Sequence, residues 1–412
     1  MRRSLAFPRR LKPALLAIAL VVLVPACGNG APAPAPSTGE PAAAPVRPQG
    51  VSAPHGAPAP AVASRVEVTE VASGLEVPWA LAFLPDGRML VTERVGRLRH
   101  VSPDGTLSEP IAGVPEVWAN GQGGLLDVAL APDFVQSRMI YLSYAEGGGE
   151  GGRAGTALGR GRLEGDRIAD WQVIFRQEPK LSQGGHFGSR IVFDGQGHLY
   201  LALGENNERP TSQKLDHLQG KVVRLNLDGS VPSDNPFVGR EDARPEIWSY
   251  GHRNQQGAAL HPATGFLWTS EHGPRGGDEV NIPQPGKNYG WPLATWGINY
   301  SGQPIPEAIG TSAPGTEQPH YYFERSPALS GMAFYTAERF PAWQGSLFLG
   351  GLASTDLIRL ALDEDGRVVS EERLLTERKP RLRDVRQGPD GYLYVLSETE
   401  GKILRIGLAG GP

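Results

Sequence analysis

From about residue 65 onward, the chain repeats one pattern of hydrophobic and polar positions: a short apolar strand, a turn and a second apolar strand. The stretch 191–203 is typical, because two apolar runs flank a turn formed by Asp194, Gly195, Gln196 and Gly197. The mixed apolar and polar composition fits strands whose side chains alternate between the two faces of stacked sheets. Related strand pairs lie at 79–101, 126–144, 191–203, 257–271, 331–350 and 385–406.

These six strand pairs predict an all-β fold, a six-bladed β-propeller with four-stranded blades, over residues 65–410. The turn Pro-Asp-Gly at 85–87 and 389–391 fits this fold, since Pro fixes its own torsion, Asp bonds back to the backbone and Gly takes the positive φ. Uneven spacing predicts long insertions, chiefly after the third and fourth pairs. A pair of β-sandwiches is the alternative, but no low-complexity boundary divides the run.

A different composition marks the N-terminus as a targeting region. Basic residues between Arg2 and Lys12 precede an apolar run at 14–24, which is too short to span a bilayer as a permanent helix. Cys27, the only cysteine in the sequence, follows closely, and we predict an export signal over 1–27. The sequence Val-Pro-Ala-Cys at 24–27 resembles a bacterial lipoprotein processing site, with Cys27 as the lipid-bearing new N-terminus. Ordinary cleavage nearby is the alternative.

Residues 28–64 are dominated by Ala, Pro, Gly and Ser, which predicts a disordered tether. We therefore expect an exported protein, periplasmic or at the cell surface, whose only membrane contact is the N-terminal lipid anchor. Without Cys27 the mature chain has no cysteine, which excludes disulfides and cysteine-bound metals. The formal charge is −4 and no basic block follows the first dozen residues, so nucleic acid is not an expected partner.

Polar, glycine-rich stretches flank several of the predicted strands. Four of the five lead into the first strand of a pair, and loops at one end of a propeller channel converge, so we expect one shared site. His186 is the leading candidate for chemistry, because the glycines around it leave room for a flat molecule to approach the imidazole. The five stretches are 120–124, 184–188, 249–257, 271–281 and 381–384.

The ligand class follows from the side chains in these stretches. A base, amides and arginines around one channel favour an anionic, polar ligand. Taken singly, Gln122 fits a surface amide, and Arg381 and Arg383 fit an exposed face or ion pairs between blades. Asp278 and Glu279 offer hard oxygen ligands that suit Ca²⁺, with a solvated acidic loop as the alternative. The histidines lack the spacing of a typical zinc site.

The ordered set of stretches resembles the soluble aldose sugar dehydrogenases, a six-bladed propeller family that uses pyrroloquinoline quinone (PQQ) and Ca²⁺. The resemblance covers nearly all of residues 67–406. It rests on the segments 121–125, 248–254, 271–274, 278–279, 288–292 and 381–385.

The resemblance implies a role for each matching position. His186 falls at the position of the catalytic base, and Arg253 would stabilise charge that develops on the quinone oxygen. The contacts to PQQ that the resemblance implies are Gln122, Arg253, Asn254, Tyr300, Arg381 and Arg383.

The resemblance also implies two calcium ions. The carbonyl groups of Gly273 and Pro274 correspond to ligands of the Ca²⁺ that bridges to the cofactor. Glu279 and Tyr289 fall where the family holds a further, structural Ca²⁺.

Two departures from the family pattern concern the substrate and the cofactor. The glucose-oxidising branch has an aspartate where this chain has Gly185, which indicates a different sugar pocket. That branch and some aldose members place a lysine near the cofactor, where this chain reads Gly-Gly-Leu-Ala at 350–353. The missing cation puts the local electrostatics and the affinity for the cofactor in question.

The implied function is PQQ- and Ca²⁺-dependent oxidation of aldose sugars at the anomeric carbon to lactones. His186 would take the hydroxyl proton, a hydride would pass to PQQ, and the electrons would leave to an external acceptor. A Ca²⁺-dependent lactonase-type hydrolase is one alternative, although the converging side chains are mainly arginines. A non-catalytic sugar- or protein-binding propeller is the other, and it leaves His186 without a purpose. The sequence leaves the preferred sugar, the acceptor and the choice between monomer and dimer open.

Overall fold

Antiparallel strands account for almost all regular structure in this protein. The computed structural model describes residues 54–148, 151–182 and 184–410, and twenty-three strands in six sheets lie within them. Up to the third sheet the strands are β1 (Val66–Ala72), β2 (Pro78–Phe83), β3 (Met89–Glu93), β4 (Arg97–Val101), β5 (Leu125–Leu130), β6 (Met139–Gly147), β7 (Ala154–Glu164), β8 (Arg167–Arg176), β9 (Gly188–Phe193), β10 (His198–Leu203), β11 (Lys221–Asn226) and β12 (Ile247–Tyr250).

The second half of the chain continues the same up-and-down order within each sheet. Its strands are β13 (Gln255–Leu260), β14 (Leu267–Glu271), β15 (Asp278–Asn281), β16 (Tyr321–Phe323), β17 (Leu329–Phe334), β18 (Leu347–Gly351), β19 (Leu357–Leu362), β20 (Val368–Leu374), β21 (Leu382–Gln387), β22 (Leu393–Ser397) and β23 (Lys402–Leu408).

The six sheets close into a ring. Each innermost strand packs against the innermost strands of both neighbouring sheets, in the order β2, β5, β9, β13, β17, β21 and back to β2. This ring confirms the predicted six-bladed β-propeller. The first strand, β1, pairs antiparallel with the last strand, β23, and so completes the sixth blade. In the described residues the first blade has three strands, with an isolated bridge between Val101 and Leu107 beside its last strand.

The innermost strand of every blade has a β-bulge at the end where the chain enters it. In the first blade Pro78 pairs with Glu93 but Ala80 pairs with Thr92, so Trp79 is the extra residue. The same irregularity occurs in the other five innermost strands. A bulge bends the strand and re-aims a side chain. Six bulges at one end of the channel therefore change the direction of side chains around one site.

The hydrophobic core lies between neighbouring sheets. Leu199, Leu201 and Val223 of the third blade, for example, share one buried cluster with Tyr141 and Leu158 of the second. Burial of each such side chain contributes roughly 1.5–3 kcal/mol. The blades are therefore held as a rigid frame, and the loops at their ends are free to carry polar groups.

The insertions lie where the uneven spacing predicted them. One runs between β11 and β12 of the third blade, and the longer one runs between β15 and β16 of the fourth. The helices in the described residues are short: α1 (Phe134–Ser137) and two 3₁₀ turns, Arg209–Gln213 and Pro341–Trp343. Within the described ranges no helix has the length and apolar character to cross a membrane.

The end of the predicted tether, residues 54–64, lies against the outer strands of the fourth and fifth blades. The Pro54 carbonyl accepts a hydrogen bond from the Tyr322 backbone N–H at 3.0 Å, and the Ala57 N–H donates to the Tyr321 hydroxyl at 2.9 Å. The Glu371 N–H donates to the Pro58 carbonyl at 3.0 Å. The predicted export signal and the rest of the tether lie outside the described residues.

Candidate active site

His186 lies in the loop that leads into β9. Its backbone is left-handed, with φ 52°, a conformation that a residue other than glycine adopts at a cost of about 1–3 kcal/mol. Three hydrogen bonds hold it there: its N–H donates to Gln122 Oε1 at 2.9 Å, and its carbonyl accepts from the Asn206 N–H and from Asn206 Nδ2, both at 3.2 Å. Gln122 therefore lies beside His186, through contact with its backbone.

The His186 ring is oriented by Glu205, a residue that sequence reasoning missed. Nδ1 of His186 lies 2.7 Å from Oε2 of Glu205, and both side chains are buried. Because a carboxylate only accepts, Nδ1 carries the proton, and Nε2 of the neutral ring is left as an acceptor. A signal for Glu205 was present: β9 and β10 are antiparallel neighbours, so the residues after β10 emerge beside the loop before β9.

Glu205 belongs to a pattern repeated around the propeller. In five of the six blades a glutamate stands at the end of the second strand, at the edge where the site loops lie. Each of these carboxylates binds a histidine, an arginine or a lysine that lies near the site end of the same blade. These glutamates are Glu93, Glu146, Glu205, Glu271 and Glu398.

The fourth blade contributes Arg253 and Asn254. The Arg253 N–H donates to Glu271 Oε2 at 2.7 Å, and its Nη1 donates to the His272 carbonyl at 3.0 Å. Asn254 Oδ1 accepts from the Gly188 N–H at 3.2 Å, so it ties this blade to the His186 loop. Among the described atoms, Arg253 Nε and Asn254 Nδ2 are buried without a hydrogen-bond partner. Both donors are therefore available to a ligand that accepts hydrogen bonds.

The sixth blade contributes Arg381 and Arg383. Arg383 is buried, forms an ion pair with Glu398 at 2.7 Å and donates to Gln256 of the fourth blade. Burial lowers the pKa of Arg383, and the Glu398 carboxylate opposes that effect. Arg381 is more exposed, and its Nη1 donates at 2.9 Å to the carbonyl of Leu352, in the segment 350–353.

His272 shows that these groups surround one electropositive site. Burial lowers its pKa well below 6.5, and the positive charges of Arg253 and Arg383 lower it further. These two residues come from the fourth and sixth blades. Within the described part of the chain, His272 Nε2 is also buried without a partner. Arg253 and Arg383 therefore favour an anionic ligand that accepts hydrogen bonds.

Arg190, on β9, contacts the innermost strands of other blades. It is 2% exposed, and its Nη1 lies 3.0 Å from Asp384 Oδ1. Its Nε donates to the Gln256 carbonyl at 2.7 Å and its Nη2 to the Arg383 carbonyl at 3.0 Å. The guanidinium also lies 4.1 Å from the centre of the Trp79 ring. Arg190 thus fixes the backbone under two blades of the site.

The loop that carries Arg253 rests on a buried lysine. Nζ of Lys221 donates to three carbonyls, those of Thr211 at 3.1 Å, Ser212 at 3.0 Å and Gln219 at 2.6 Å. The Ser212 hydroxyl in turn donates to the His252 carbonyl at 2.9 Å, directly before Arg253. Burial lowers the pKa of Lys221 well below 10.5.

The predicted calcium ligands gather in one small pocket. Gly273, Pro274, Glu279 and Tyr289 all line it, together with Glu271. Burial and the neighbouring Glu271 carboxylate raise the pKa of Glu279 well above 4.5. The Tyr289 hydroxyl is already engaged, since it donates to the Ile282 carbonyl at 2.5 Å. The described residues contain no cluster of three or more His, Cys, Asp or Glu side chains that could hold a metal, so carbonyl oxygens would complete this ligand set.

Residues 75–405 match the family model described as Glucose / Sorbosone dehydrogenase. The chain belongs to this family. It is 59% identical over 350 residues to the aldose sugar dehydrogenase YliI of Escherichia coli strain K12, an alignment that covers 84% of this chain and 94% of that protein. Members of the glucose/sorbosone dehydrogenase family are oxidoreductases, so the prediction that the chain is an enzyme of this class is confirmed.

Solved structures agree with this assignment. The chain is similar to the crystal structure of the soluble aldose sugar dehydrogenase from Escherichia coli in the apo-form, with 58% identity and a TM-score of 0.82, over 84% of this chain and all of that chain. It is also similar to the PQQ-bound aldose sugar dehydrogenase of Streptomyces coelicolor, with 29% identity and a TM-score of 0.68, over 84% of this chain and 99% of that chain.

One predicted site residue of this glucose/sorbosone dehydrogenase family member is largely exposed. Tyr300 is 72% exposed, on the insertion between β15 and β16. That insertion nevertheless reaches the calcium pocket: a Cβ on its Gly297 would lie 2.9 Å from the Pro274 side chain. Arg209 and Glu307 also join it to the third blade at 3.3 Å.

Proposed function

We propose that this protein oxidises aldose sugars at the anomeric carbon to lactones, with PQQ as its cofactor and His186 as the general base. The observation that carries the proposal is the His186–Glu205 pair inside an electropositive site. In such a pair Nε2 of His186 can accept a proton. Removal of the hydroxyl proton by a base is the first requirement of alcohol oxidation. The sequence identity to named aldose sugar dehydrogenases supports the substrate class.

The residues present fit a multiply anionic quinone. Arg253, Arg381 and Arg383 surround the site, and Arg253 Nε and Asn254 Nδ2 are two buried donors there without a partner among the described atoms. Carboxylate and carbonyl oxygens would satisfy those donors. When bound, PQQ supplies the acceptor for the two electrons that leave the sugar. An external acceptor would then remove them.

His186 acts on the sugar hydroxyl. Its Nε2 accepts the proton, and the Glu205 carboxylate stabilises the imidazolium that results. Gln122 and Asn206 keep the strained backbone of His186 in place, so the ring does not have to reorganise. A positioned general base contributes about 10²–10⁴ in rate. Arg253, held by Glu271 and the His272 carbonyl, is placed to stabilise negative charge that develops at the cofactor.

We propose that Ca²⁺ binds in the pocket that Gly273, Pro274, Glu279 and Tyr289 line. Two carboxylates close to each other in a water-poor pocket are unfavourable without a cation, and the raised pKa of Glu279 reflects desolvation first and the repulsion from Glu271 second. A divalent ion with hard oxygen ligands would remove it. The backbone carbonyl of Tyr289 is the better candidate ligand, because its hydroxyl is already hydrogen-bonded.

Residue 185 is a glycine and has no side chain to offer a sugar. The polar group next to it, beside the His186 loop, is the side-chain amide of Asn207. A Cβ at Gly185 would overlap Asn207 Nδ2, and Asn207 holds a left-handed backbone with φ 63°. The space that an aspartate would need is therefore already filled by an amide. We infer that the sugar meets a neutral amide here, which is consistent with a pocket that differs from that of the glucose-oxidising branch.

Export, processing at Cys27 and lipid anchoring in the periplasm or at the cell surface also remain part of this proposal. They rest on the sequence of residues 1–27.

The proposal is tested by adding PQQ and Ca²⁺ to the purified apo-protein and following dye reduction with several aldoses. We expect activity that needs both additions and that His186→Ala removes almost completely. His198→Ala is the matched control, since His198 also lies 2.7 Å from a carboxylate, that of Asp194, at the opposite end of β9. Absence of activity with every sugar, together with an unchanged PQQ spectrum, would refute the proposal. Lactone hydrolysis without PQQ would support the hydrolase alternative instead.

A further inference from the structure

A cleft of about 620 Å³ opens at the site end of the second blade, and the proposed reaction leaves it without a role. We call it the second-blade cleft. One wall is the segment that leads into β5, and the other is the face formed by β6 and β8. Its lining residues are Pro115, Glu116, Val117, Trp118, Tyr144, Glu146, Gly147, Trp171, Val173, Arg176 and Lys180.

The floor of the cleft is aromatic. Trp171 on β8 lies over Gly159 and Gly161 of β7, where a Cβ would overlap the indole or its neighbouring atoms. Two glycines on one strand therefore make room for a flat ring. Tyr144 lies beside it, with the ring centres 6.2 Å apart. Burial raises the pKa of Tyr144 to about 12, so its hydroxyl stays protonated at neutral pH.

The charged residues of the cleft cancel one another. Glu146 accepts hydrogen bonds from Arg176 at 2.8 Å and from Lys180 at 2.7 Å, and Lys180 also donates to the Gly147 carbonyl at 3.0 Å. With Glu116, the lining has two acids and two bases. A ligand therefore finds polar groups for hydrogen bonds but no net charge, which favours a neutral, polar occupant over an anion or a cation.

Trp118 connects the second-blade cleft with the His186 loop. One edge of its indole, Cδ1, lies 3.0 Å from the position of a Cβ at Gly147, beside the charged end of the cleft. The opposite edge, Cη2, lies 3.0 Å from the position of a Cβ at Gly184, two residues before His186. A single side chain thus forms part of the cleft and supports the catalytic loop.

We propose that the second-blade cleft binds the outer sugar rings of a neutral oligosaccharide whose reducing end lies at His186. Aromatic faces pack against the C–H faces of sugar rings, and the polar groups at the cleft end match their hydroxyls. The volume falls in the range of small-molecule sites, and a concave cleft suits a chain of rings better than it suits a protein surface. The placement of the reducing end rests on the proposed function; binding in the cleft does not.

The direct test measures binding to the apo-protein, by tryptophan fluorescence and calorimetry. The probes are the methyl glycosides of maltotriose and cellotriose, which cannot be oxidised at the anomeric carbon. We expect saturable binding of at least one probe, weakened about tenfold by Trp171→Ala, since one aromatic contact is lost. Trp248→Ala is the matched control, because Trp248 lies, partly buried, on the outermost strand of the next blade.

Activity gives a second readout with loaded enzyme. Trp171→Ala should lower kcat/KM for the reducing trisaccharide about tenfold and leave kcat/KM for the monosaccharide unchanged. If Trp171→Ala lowers the thermal unfolding midpoint, the exposed Arg176→Ala variant replaces it, with a smaller loss of the same selectivity expected.

Two outcomes overturn the proposal. In the first, neither glycoside binds the wild type; in the second, Trp171→Ala and Arg176→Ala both bind the glycosides as tightly as the wild type does. Failure of the proposed function looks different. In that case no sugar is oxidised, while the methyl glycosides still bind and Trp171→Ala still weakens them.

Discussion

Replacing Glu205 with glutamine tests the central pair of the site. The substitution keeps the size of the side chain and removes the charge that faces His186 Nδ1 at 2.7 Å. A buried hydrogen bond to a charged group is worth about 1.5–3 kcal/mol. Because this bond strengthens when the imidazole gains a proton, its loss falls mainly on the transition state. We therefore expect kcat/KM to fall about 10- to 150-fold, since about 1.4 kcal/mol corresponds to a factor of ten.

The assay is dye reduction by enzyme loaded with PQQ and Ca²⁺, measured beside the thermal unfolding midpoint. Asp194→Asn is the matched control, since Asp194 pairs with His198 at the same 2.7 Å distance but at the far end of the third blade. It should leave kcat/KM unchanged. The reasoning is refuted if Glu205→Gln reacts at the wild-type rate, or if both variants lose activity equally.

Three further predictions concern the surroundings of this pair. Gly185→Asp should make the exposed Asn207 side chain rotate away, change the thermal unfolding midpoint little and lower kcat/KM. Adding Asn207→Gly should restore part of the rate. Burial lowers the pKa of Lys221 in the folded state only. Between that lowered pKa and 10.5, the Lys221 amine is therefore protonated in the unfolded chain but not in the folded protein. The free energy of unfolding should therefore rise with pH in that window, and denaturant titrations should show that Lys221→Met loses this rise and is less stable. Ca²⁺ at 100 times the Kd of the wild type should raise its free energy of unfolding by about 2.7 kcal/mol. Calorimetry at the same Ca²⁺ concentration should show a clearly smaller increase for Glu279→Gln. An equal increase in both proteins would contradict Glu279 as a ligand.

Local patterns in the sequence were sufficient for the architecture. The turn at 85–87 and the apolar runs on either side of it specify a hairpin by themselves, because Pro, Asp and Gly act on neighbouring torsions and strand alternation has a period of two. Six such pairs predicted six blades, and the gaps after the third and fourth predicted the two insertions. The loop residues His186, Arg253 and Arg381 were likewise predicted at one end of the channel, because each precedes an innermost strand.

The contacts that make these residues into a site depended on the tertiary structure. Glu205 reaches His186 only because β9 and β10 pair in a register that brings residues 19 positions apart together. Asn207 fills the space beside Gly185, and Trp118 joins the second-blade cleft to the His186 loop, through contacts that no spacing in the sequence encodes. The sequence by itself determined the repeated strands and the loops that carry the chemistry, since those follow from interactions between near neighbours. The closed ring of blades and the bulges in its inner strands decided which side chains meet, because packing between distant segments sets their distances.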